Sequence, residues 1–215
     1  IILLGTDRIH VFDTPLLLCR NQGLSMEQRV AKRVLDIVVS GLGIIVSSPI
    51  MLIIAIAVKA YDGGPVFYLQ DRLTYKGKQF RIRKFRSMCV DSEKNGARLA
   101  SKHDSRITPV GHVLRNLHLD ELPQLFNVFM GDMSLVGPRP ERDVIMQEYE
   151  KEIPEFHYRL KVKAGLTGYA QVYGKYNTTP YDKLKLDLFY IENYSFLLDI
   201  KLLFMTVKIF FQKEV

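Results

Sequence analysis

The sequence predicts an α+β fold that is mostly helical, in which a re-entrant membrane helix hairpin adjoins a small domain with short strands and interfacial amphipathic helices. An apolar run from residue 34 to residue 58 carries a single charge, at Asp36. Beyond it, apolar and polar residues alternate at 66–70 and 78–85, which indicates strands. Further segments are predicted as helices at 91–100, 111–118, 122–130, 140–152 and 178–195, and as a strand with turns at 167–174.

The first part of the chain is interpreted as the tail of a preceding domain. Residues 1–24 contain a strand remnant and a second apolar stretch, and the chain starts at Ile1 rather than at a methionine. Residues 25–60 are assigned to the membrane helix. Ser25 is its candidate N-cap and Gln28 follows three positions later, so the two form a predicted capping box.

Residues 61–215 form the third part, which begins at the turn signal "YDGGP". It ends in an apolar segment where Lys201 and Lys208, seven positions apart, share one side of a helix. Such a helix either lies flat in the membrane interface or packs as an ordinary amphipathic core helix.

The apolar run allows three topologies. It is long enough to cross a bilayer as a straight span, and a buried helix of a soluble protein is a second interpretation. A re-entrant hairpin is favoured, because Pro49 removes an amide donor and kinks the helix, and a serine hydroxyl at the Ser48-Pro49 break could satisfy a freed carbonyl. Positive charge marks the cytoplasmic side, and both ends carry it, at Arg29, Lys32 and Arg33 before the run and at Lys59 after it.

Net charge narrows the class of partner. The chain carries a formal charge of +7 with an isoelectric point near 9.3, which points to phosphates, nucleic acid or an acidic lipid surface. Cys19 and Cys89 lie far apart and match no metal-binding spacing. A reducing compartment is therefore the default expectation.

The basic charge is concentrated between residues 72 and 86, a segment with seven basic residues and no acidic one. Its cations alternate with apolar residues, so a strand presents them on one face. A solvated strand face and a nucleic-acid surface are alternatives. The neighbouring apolar run favours anionic lipid headgroups instead, and no nucleic-acid partner is predicted.

Two adjacent carboxylates, Asp120 and Glu121, precede Pro123 at the start of a short apolar helix that Gly131 ends. A helix cap explains one acid but leaves the second unexplained. At a helix N-terminus a carboxylate stays ionised and backbone amides can hold phosphate oxygens. The pair therefore also suits phosphoryl transfer, with one carboxylate as nucleophile and the other as metal ligand; Asp132 could join such a site.

A proline flanks Arg139 on each side in the sequence "GPRP". Proline restricts the backbone and lowers the entropy cost of ordering a loop. The turn is interpreted as a rigid mount for an arginine that binds the nucleotide or a phosphate, and a purely structural turn is the alternative.

Long blocks of the sequence resemble the bacterial sugar transferase family, the monotopic phosphoglycosyl transferases that start capsule, exopolysaccharide and O-antigen (lipopolysaccharide) assembly. The resemblance runs from about Lys32 to the C-terminus. It rests on "KRVLDIVVSGLGIIVSSP", "GPVFYLQDRLTYKGKQFRIRKFRSM", "TPVGHVLRNLHLDELPQLFNVFMGDMSLVGPRPE" and "AGLTGYAQVYG".

The resemblance implies a two-step reaction on the cytoplasmic face of the bacterial inner membrane. Asp120 would attack the β-phosphate of a UDP-sugar, UMP would leave, and polyprenyl (undecaprenyl) phosphate would take the phosphosugar from the aspartyl enzyme. Glu121 resembles the family's Mg²⁺-associated acid, and the helix break matches Ser48-Pro49. The candidate phosphate- and nucleotide-binding residues are Arg72, Lys84, Arg86, Arg115 and Arg139.

Departures from the family pattern are modest: His118 replaces Ser or Thr, Thr74 replaces Gly, Ala164 replaces Pro and Lys175 replaces Arg. The last two could bear on substrate choice. Two other classes stay open, a non-catalytic membrane scaffold that binds anionic lipid or polyanion, and a metal-dependent phosphotransferase that uses an activated hydroxyl. The sugar is not assigned, and whether the chain forms a homo-oligomer is left open.

Overall fold

A computed structural model describes residues 6–11, 14–19, 25–90, 92, 104–174 and 178–211. It confirms the predicted class, since helices dominate and the strands are short. The predicted helix at 91–100 lies outside the described residues, apart from Ser92.

The described strands are β1 Thr6–Val11, β2 Thr14–Cys19, β3 Phe67–Leu73, β4 Gln79–Phe85, β5 Ser134–Val136 and β6 Gly165–Thr167. The described helices are α1 Met26–Asp62, α2 Pro109–Asn116, α3 Gln124–Met130, α4 Asp143–Glu152, α5 Tyr169–Tyr173, α6 Pro180–Glu192 and α7 Phe196–Phe211. Three 3-10 turns cover Tyr75–Gly77, Leu119–Glu121 and Pro154–Lys161.

The described strands form three two-stranded sheets. The pairs β1–β2 and β3–β4 are antiparallel, and β5–β6 is parallel. In the β3–β4 hairpin, Tyr68 pairs with Lys84 and Arg72 pairs with Phe80. Directly opposed residues lie on one face of a sheet. Arg72 and Lys84 therefore project from the same face of the hairpin.

Helix α1 begins as the sequence predicts. The hydroxyl of Ser25 accepts from the Gln28 amide at 3.2 Å, and the Gln28 side chain accepts from the Ser25 amide at 3.0 Å. This capping box fixes the first turn. At the other end, Gly63 adopts a left-handed conformation with φ 69° and donates to the carbonyl of Lys59.

The predicted break at Ser48 and Pro49 does not end the helix, which continues as one element from Met26 to Asp62. Pro49 cannot donate to the carbonyl of Ile45 four residues earlier. The hydroxyl of Ser48 donates to that carbonyl at 2.8 Å, as expected for a freed carbonyl next to a serine. Because the freed acceptor has a local donor, the helix continues through the proline as one element, and the re-entrant hairpin stays a prediction.

Both halves of α1 pack against the same domain. In the first half, Lys32 and Asp36 are buried against β5 and α7. In the second half, Met51, Ile54 and Val58 are buried in a cluster with residues of β4 and α2. The domain therefore extends along most of the length of α1.

The opposite side of α1 is exposed and apolar. By its length and composition, α1 is long and apolar enough to cross a membrane. An exposed apolar surface of this extent marks an interaction with a membrane or another apolar partner. Exposed large hydrophobic side chains on this helix are Met26, Val30, Val34, Ile37, Val38, Val39, Leu42, Ile45, Val46, Ile50, Leu52, Ile53, Ile56 and Tyr61.

The predicted strand at 167–174 is wrong after its first residue. Thr167 ends β6, and Tyr169–Tyr173 form helix α5. Valine and tyrosine favour strands in a sequence pattern, but the tertiary contacts favour a helix. The Tyr169 and Tyr173 rings, one helical turn apart, lie 4.4 Å from each other, and the Tyr169 ring lies 4.8 Å from Phe189 of α6.

Candidate active site

The acid pair lies in the 3-10 turn between α2 and α3. His118 leads into the turn in a left-handed conformation with φ 52°. Leu119 and Leu122 pack against the apolar cluster that includes the second half of α1. These two side chains anchor the turn, and Asp120 is buried with 9% of its surface exposed. The carboxylate pair is therefore held close to the second half of α1.

Neither acid caps a helix in this structure. The N-cap of the 3-10 turn is His118 and that of α3 is Pro123, and neither position has a side-chain capping hydrogen bond. The cap interpretation of the pair is therefore wrong. The predicted start of α3 and its stop at Gly131, with φ 95°, are confirmed within two residues.

Two cations fix the carboxylate of Glu121. Lys84 donates to its Oε1 at 2.7 Å and Arg139 donates to the same oxygen at 2.8 Å. Burial alone would raise the pKa of Glu121, but the charges of Arg139 and Lys84 and their hydrogen bonds outweigh it and lower the pKa to about 2. Glu121 is therefore an anion over the whole physiological pH range.

Asp120 lies in a different electrostatic environment from its neighbour. Burial is the largest influence and raises its pKa, and the like charge of Glu121 raises it further, against the lowering effects of Lys84, Arg115 and His118. A buried carboxylate with a raised pKa is more basic and less solvated than one in water. Such a group is suited to a nucleophilic role once it is ionised.

Three of the five predicted phosphate-binding residues line one cavity beside the acid pair. Arg72, Lys84 and Arg139 line it together with Gln124, Pro140 and Gly165. Arg72 comes from β3, Lys84 from β4 and Arg139 from the loop after β5, so the cavity is formed by segments that are distant in sequence. Its charged lining residues are all cations, which favours an anionic ligand.

The two remaining predicted cations lie elsewhere. Arg115 donates to the Ser87 hydroxyl at 2.8 Å and lies close enough to Asp120 to lower its pKa. Arg86 pairs with Asp62 through both guanidinium nitrogens and donates to the carbonyl of Pro65 at 2.7 Å. These contacts fasten the end of α1 to β4, so Arg86 is assigned a structural role and is not part of the cavity.

Asp132 does not join the acid pair. It follows Gly131 at the far end of α3, where Asn127 donates to its carboxylate at 3.3 Å. The side chain of Asn127 also donates to the carbonyl of Arg81 at 2.8 Å and accepts from the amide of Arg83 at 3.0 Å. Asn127 therefore fixes α3 against β4, which places Gln124 next to Lys84.

Sequence reasoning missed the residue that supports the Arg139 loop. Arg159 is buried and donates to the backbone carbonyl of Arg139 at 3.0 Å. It also forms an ion pair with Asp187 of α6 at 2.7 Å and lies 3.5 Å from Glu141. No local pattern marks Arg159, because its partners come from α6 and from the loop. The position of the Arg139 loop thus depends on Arg159 as well as on the two prolines.

Two of the departures from the family pattern meet at one contact away from the acid pair. The hydroxyl of Thr74 donates to the carbonyl of Asp132 at 3.1 Å and accepts from the amide of Ala164 at 3.1 Å. Thr74 therefore joins the hairpin to the segment before β6. Lys175 lies outside the described residues.

The donor set beside the cavity can be compared with what magnesium requires. Among the described residues no group of three or more His, Cys, Asp or Glu side chains could hold a metal ion. Mg²⁺ is commonly bound by one or two carboxylates together with substrate phosphates. The adjacent carboxylates of Asp120 and Glu121 beside a cationic cavity are compatible with that mode of binding.

Comparison with known proteins places the chain in a family. The family model described as bacterial sugar transferase matches residues 27–213. A UDP-N-acetylgalactosamine-undecaprenyl-phosphate N-acetylgalactosaminephosphotransferase of Aeromonas hydrophila is 44% identical over 82% of this chain. A UDP-glucose:undecaprenyl-phosphate glucose-1-phosphate transferase of Klebsiella pneumoniae is 43% identical over 94%, and an undecaprenyl-phosphate galactose phosphotransferase of Salmonella typhimurium is 37% identical over 99%.

The aligned part of this chain spans 43% of the length of each of the first two relatives and 47% of the third. The family model, by contrast, covers nearly all of the chain, including α1, the acid pair and the residues that line the cavity. The chain therefore belongs to the bacterial sugar transferase family.

Proposed function

We propose that the protein transfers a sugar 1-phosphate from a UDP-sugar to polyprenyl phosphate, with Asp120 as a covalent nucleophile and UMP as the leaving group. The observation that carries the proposal is the buried Asp120 beside a cationic cavity. Its neighbour Glu121 forms ion pairs with Lys84 and Arg139, two of the cations that line this cavity. The names of the relatives support the same class of reaction with undecaprenyl phosphate as acceptor.

In the first step, a carboxylate oxygen of Asp120 attacks the β-phosphorus of the UDP-sugar. A bond forms between that oxygen and phosphorus, and the bond from phosphorus to the bridging oxygen breaks, so its electron pair leaves with UMP. Arg72, Lys84 and Arg139 hold and neutralise the pyrophosphate, since charge-assisted donors stabilise the negative charge of a phosphoryl transition state.

In the second step, a phosphate oxygen of polyprenyl phosphate attacks the same phosphorus, and the carboxylate of Asp120 leaves. The product is a polyprenyl diphosphate sugar and the enzyme returns to its starting state. The position of the acid pair supports this step, because Leu119 and Leu122 on either side of it pack against the apolar cluster that includes the second half of α1. A lipid phosphate at the membrane surface would therefore be close to Asp120.

We further propose Glu121 as the residue that holds Mg²⁺. When bound, the ion would neutralise phosphate oxygens of the substrate. Glu121 is suited to this role because its pKa of about 2 keeps it anionic without a proton to displace. Activity should vanish with a chelator and return with Mg²⁺, and full turnover in excess chelator would contradict this assignment.

We propose that both ends of α1 lie on the cytoplasmic side of the bacterial inner membrane. Both halves of the helix pack on one domain, which a straight span with the domain at one end would not allow. The helix would then dip into the membrane with Pro49 near its deepest point. A cysteine placed at Arg29 and one placed at Lys76 should both resist labelling from outside intact cells, and labelling of the first alone would show that the helix spans.

The reaction would be the first membrane step in the assembly of a surface polysaccharide, of the capsule, exopolysaccharide or O-antigen class. The sugar is not assigned, since the three relatives are named for N-acetylgalactosamine, glucose and galactose. A panel of UDP-sugars is therefore the substrate set for any test.

The test measures UMP release by the purified protein with polyprenyl phosphate, Mg²⁺ and the UDP-sugar panel. The wild-type protein should release UMP with at least one sugar, and Asp120→Asn should release none. A phosphotransferase that uses an activated hydroxyl would keep its activity in the Asp120→Asn variant. A non-catalytic scaffold would release no UMP with any sugar.

A further inference from the structure

The cavity beside the acid pair contains two buried donors that have no acceptor in the structure. These are Nε of Arg72 and Nε2 of Gln124. Only 3% of the surface of Gln124 is exposed, and it is the first residue of α3. A buried donor without an acceptor is costly, so native proteins keep few of them. Two such donors lining one cavity indicate that a ligand supplies the acceptors.

The charges around the cavity define the chemistry of that ligand. Three cations line it, Arg72, Lys84 and Arg139. They outnumber the two carboxylates that pair with them from outside the lining, Glu121 with Lys84 and Arg139 and Glu141 with Arg72. The pKa of Arg72 is lowered first by burial, and the charges of Arg142 and Arg139 lower it further, against the opposing effect of Glu141. This crowding of positive charge is relieved by an anion with several acceptor oxygens, such as a phosphate group.

From these observations we infer that Gln124 is a substrate-binding residue, whose side-chain amide donates a hydrogen bond to a phosphate oxygen of the nucleotide-sugar pyrophosphate. The inference rests on the proposed function and deepens it by adding a neutral donor to the cationic site. Gln124 lies three residues after Glu121, and Asn127 ties the same helix to β4. The donor is therefore fixed relative to both the acid pair and Lys84.

The opposite orientation of the amide makes a different prediction. With Oε1 turned toward the cavity, Gln124 would accept a hydrogen bond from a cation and would not need the ligand. Gln124→Glu keeps the shape but adds a negative charge that repels an anion in either case, so Gln124→Met is the variant that separates the two. Gln124→Met removes the polar atoms at similar length. Gln147→Glu, at an exposed position on α4, is the matched control for the change of charge.

The test is the affinity of the purified protein in detergent for inorganic pyrophosphate and for UDP with Mg²⁺, measured by titration calorimetry. Both Gln124 variants should bind each probe about tenfold to a hundredfold more weakly, as expected for a lost hydrogen bond to a charged group. The control should bind like the wild type. If the methionine variant shows a lower melting temperature, its affinity is measured at a temperature where it is folded, with the same expected result.

Two results would overturn the inference: a folded Gln124→Met variant that binds pyrophosphate as tightly as the wild type, or a wild-type protein that binds neither probe. Failure of the proposed function looks different. In that case the wild type would bind UDP but release no UMP from any UDP-sugar, while the Gln124 affinities would still decide the role of this residue.

Discussion

Two buried polar clusters of this protein are built from similar residues but differ in how completely their hydrogen bonds are satisfied. Where α1 packs against β5, α6 and α7, Lys32 donates to the carbonyl of Val136 at 2.9 Å, to the hydroxyl of Tyr190 at 3.1 Å and to Asp199 at 2.5 Å. An ammonium group has three donors, and here each has an acceptor. Beside the acid pair, Arg72 and Gln124 keep buried donors without one.

This difference separates a structural cluster from a binding site. The Lys32 cluster joins α1 to α6 and α7, and Asp36 extends it by accepting from the hydroxyl of Ser134 at 3.0 Å and the amide of Leu135 at 2.8 Å. A satisfied network of this kind specifies how elements pack. The cavity, in contrast, is complete only when an anion supplies the missing acceptors. Unpaired buried polar atoms also occur at Arg159, Gln171 and Tyr194 among the described residues. What marks the binding site is that two unpaired donors belong to residues lining one cationic cavity.

The largest effect on stability is expected from Lys32→Met. This change leaves the Asp199 carboxylate buried without its cation, which costs about 3–5 kcal/mol. The melting temperature should fall steeply, while pyrophosphate affinity of the remaining folded protein should not change. Lys185→Met, which removes an exposed pair with Asp182, is the control and should shift stability by less than about 0.5 kcal/mol. An unchanged melting temperature in Lys32→Met would show that the cluster does not hold α1 to the domain.

A smaller effect, on catalysis, is expected from Arg159→Lys. Lysine cannot pair with Asp187 and also reach the carbonyl of Arg139 with the same planar geometry. The loop that carries Arg139 would then be displaced, and kcat/KM should fall roughly tenfold to a hundredfold, because small displacements at a reacting centre are costly.

The control for that prediction is Asp187→Asn, which weakens the same buried ion pair but leaves Arg159 able to donate to the Arg139 carbonyl. Both variants should lose stability, and only Arg159→Lys should lose most of its kcat/KM. Equal losses of kcat/KM in the two variants would show that Arg159 stabilises the fold and does not position Arg139.

The smallest effect concerns pH. Because burial raises the pKa of Asp120, its ionised fraction should fall at a higher pH than that of a free aspartate, while Glu121 stays ionised down to about pH 2. The rate of UMP release in a single turnover should therefore decline toward acid with one titrating group. In Glu121→Gln the like charge is lost, so the residual activity should decline at a lower pH. If the acid-side decline of the Glu121→Gln profile instead lies at a higher pH than in the wild type, the titrating group is not Asp120.

Local features of the sequence predicted much of this structure. The capping box at Ser25, the apolar helix and the place of the acid pair all depend on residues within a few positions of one another, where spacing is informative. The hydroxyl of Ser48 on the carbonyl freed by Pro49 is also a local contact. The same pattern could not show that the helix continues, because that depends on how its two halves pack against the domain.

Features formed by distant residues were missed. The run of basic residues could not distinguish Lys84, which reaches the acid pair, from Arg86, which pairs with Asp62. The partner of Arg159 lies on α6, and the parallel pairing of β5 with β6 brings Gly137 and Gly165 together across many intervening residues. Such contacts are set by the tertiary fold and leave no periodic signal in the chain.

The central claim is that Asp120 forms a covalent phosphosugar intermediate, and mass spectrometry of the protein after incubation with its UDP-sugar and Mg²⁺ alone tests it most directly. We expect a sugar-phosphate mass on the peptide that contains Asp120, its disappearance on addition of polyprenyl phosphate, and no adduct on folded Asp120→Asn. Near-normal turnover by folded Asp120→Asn, or turnover by the wild type with the adduct on another residue, would contradict it.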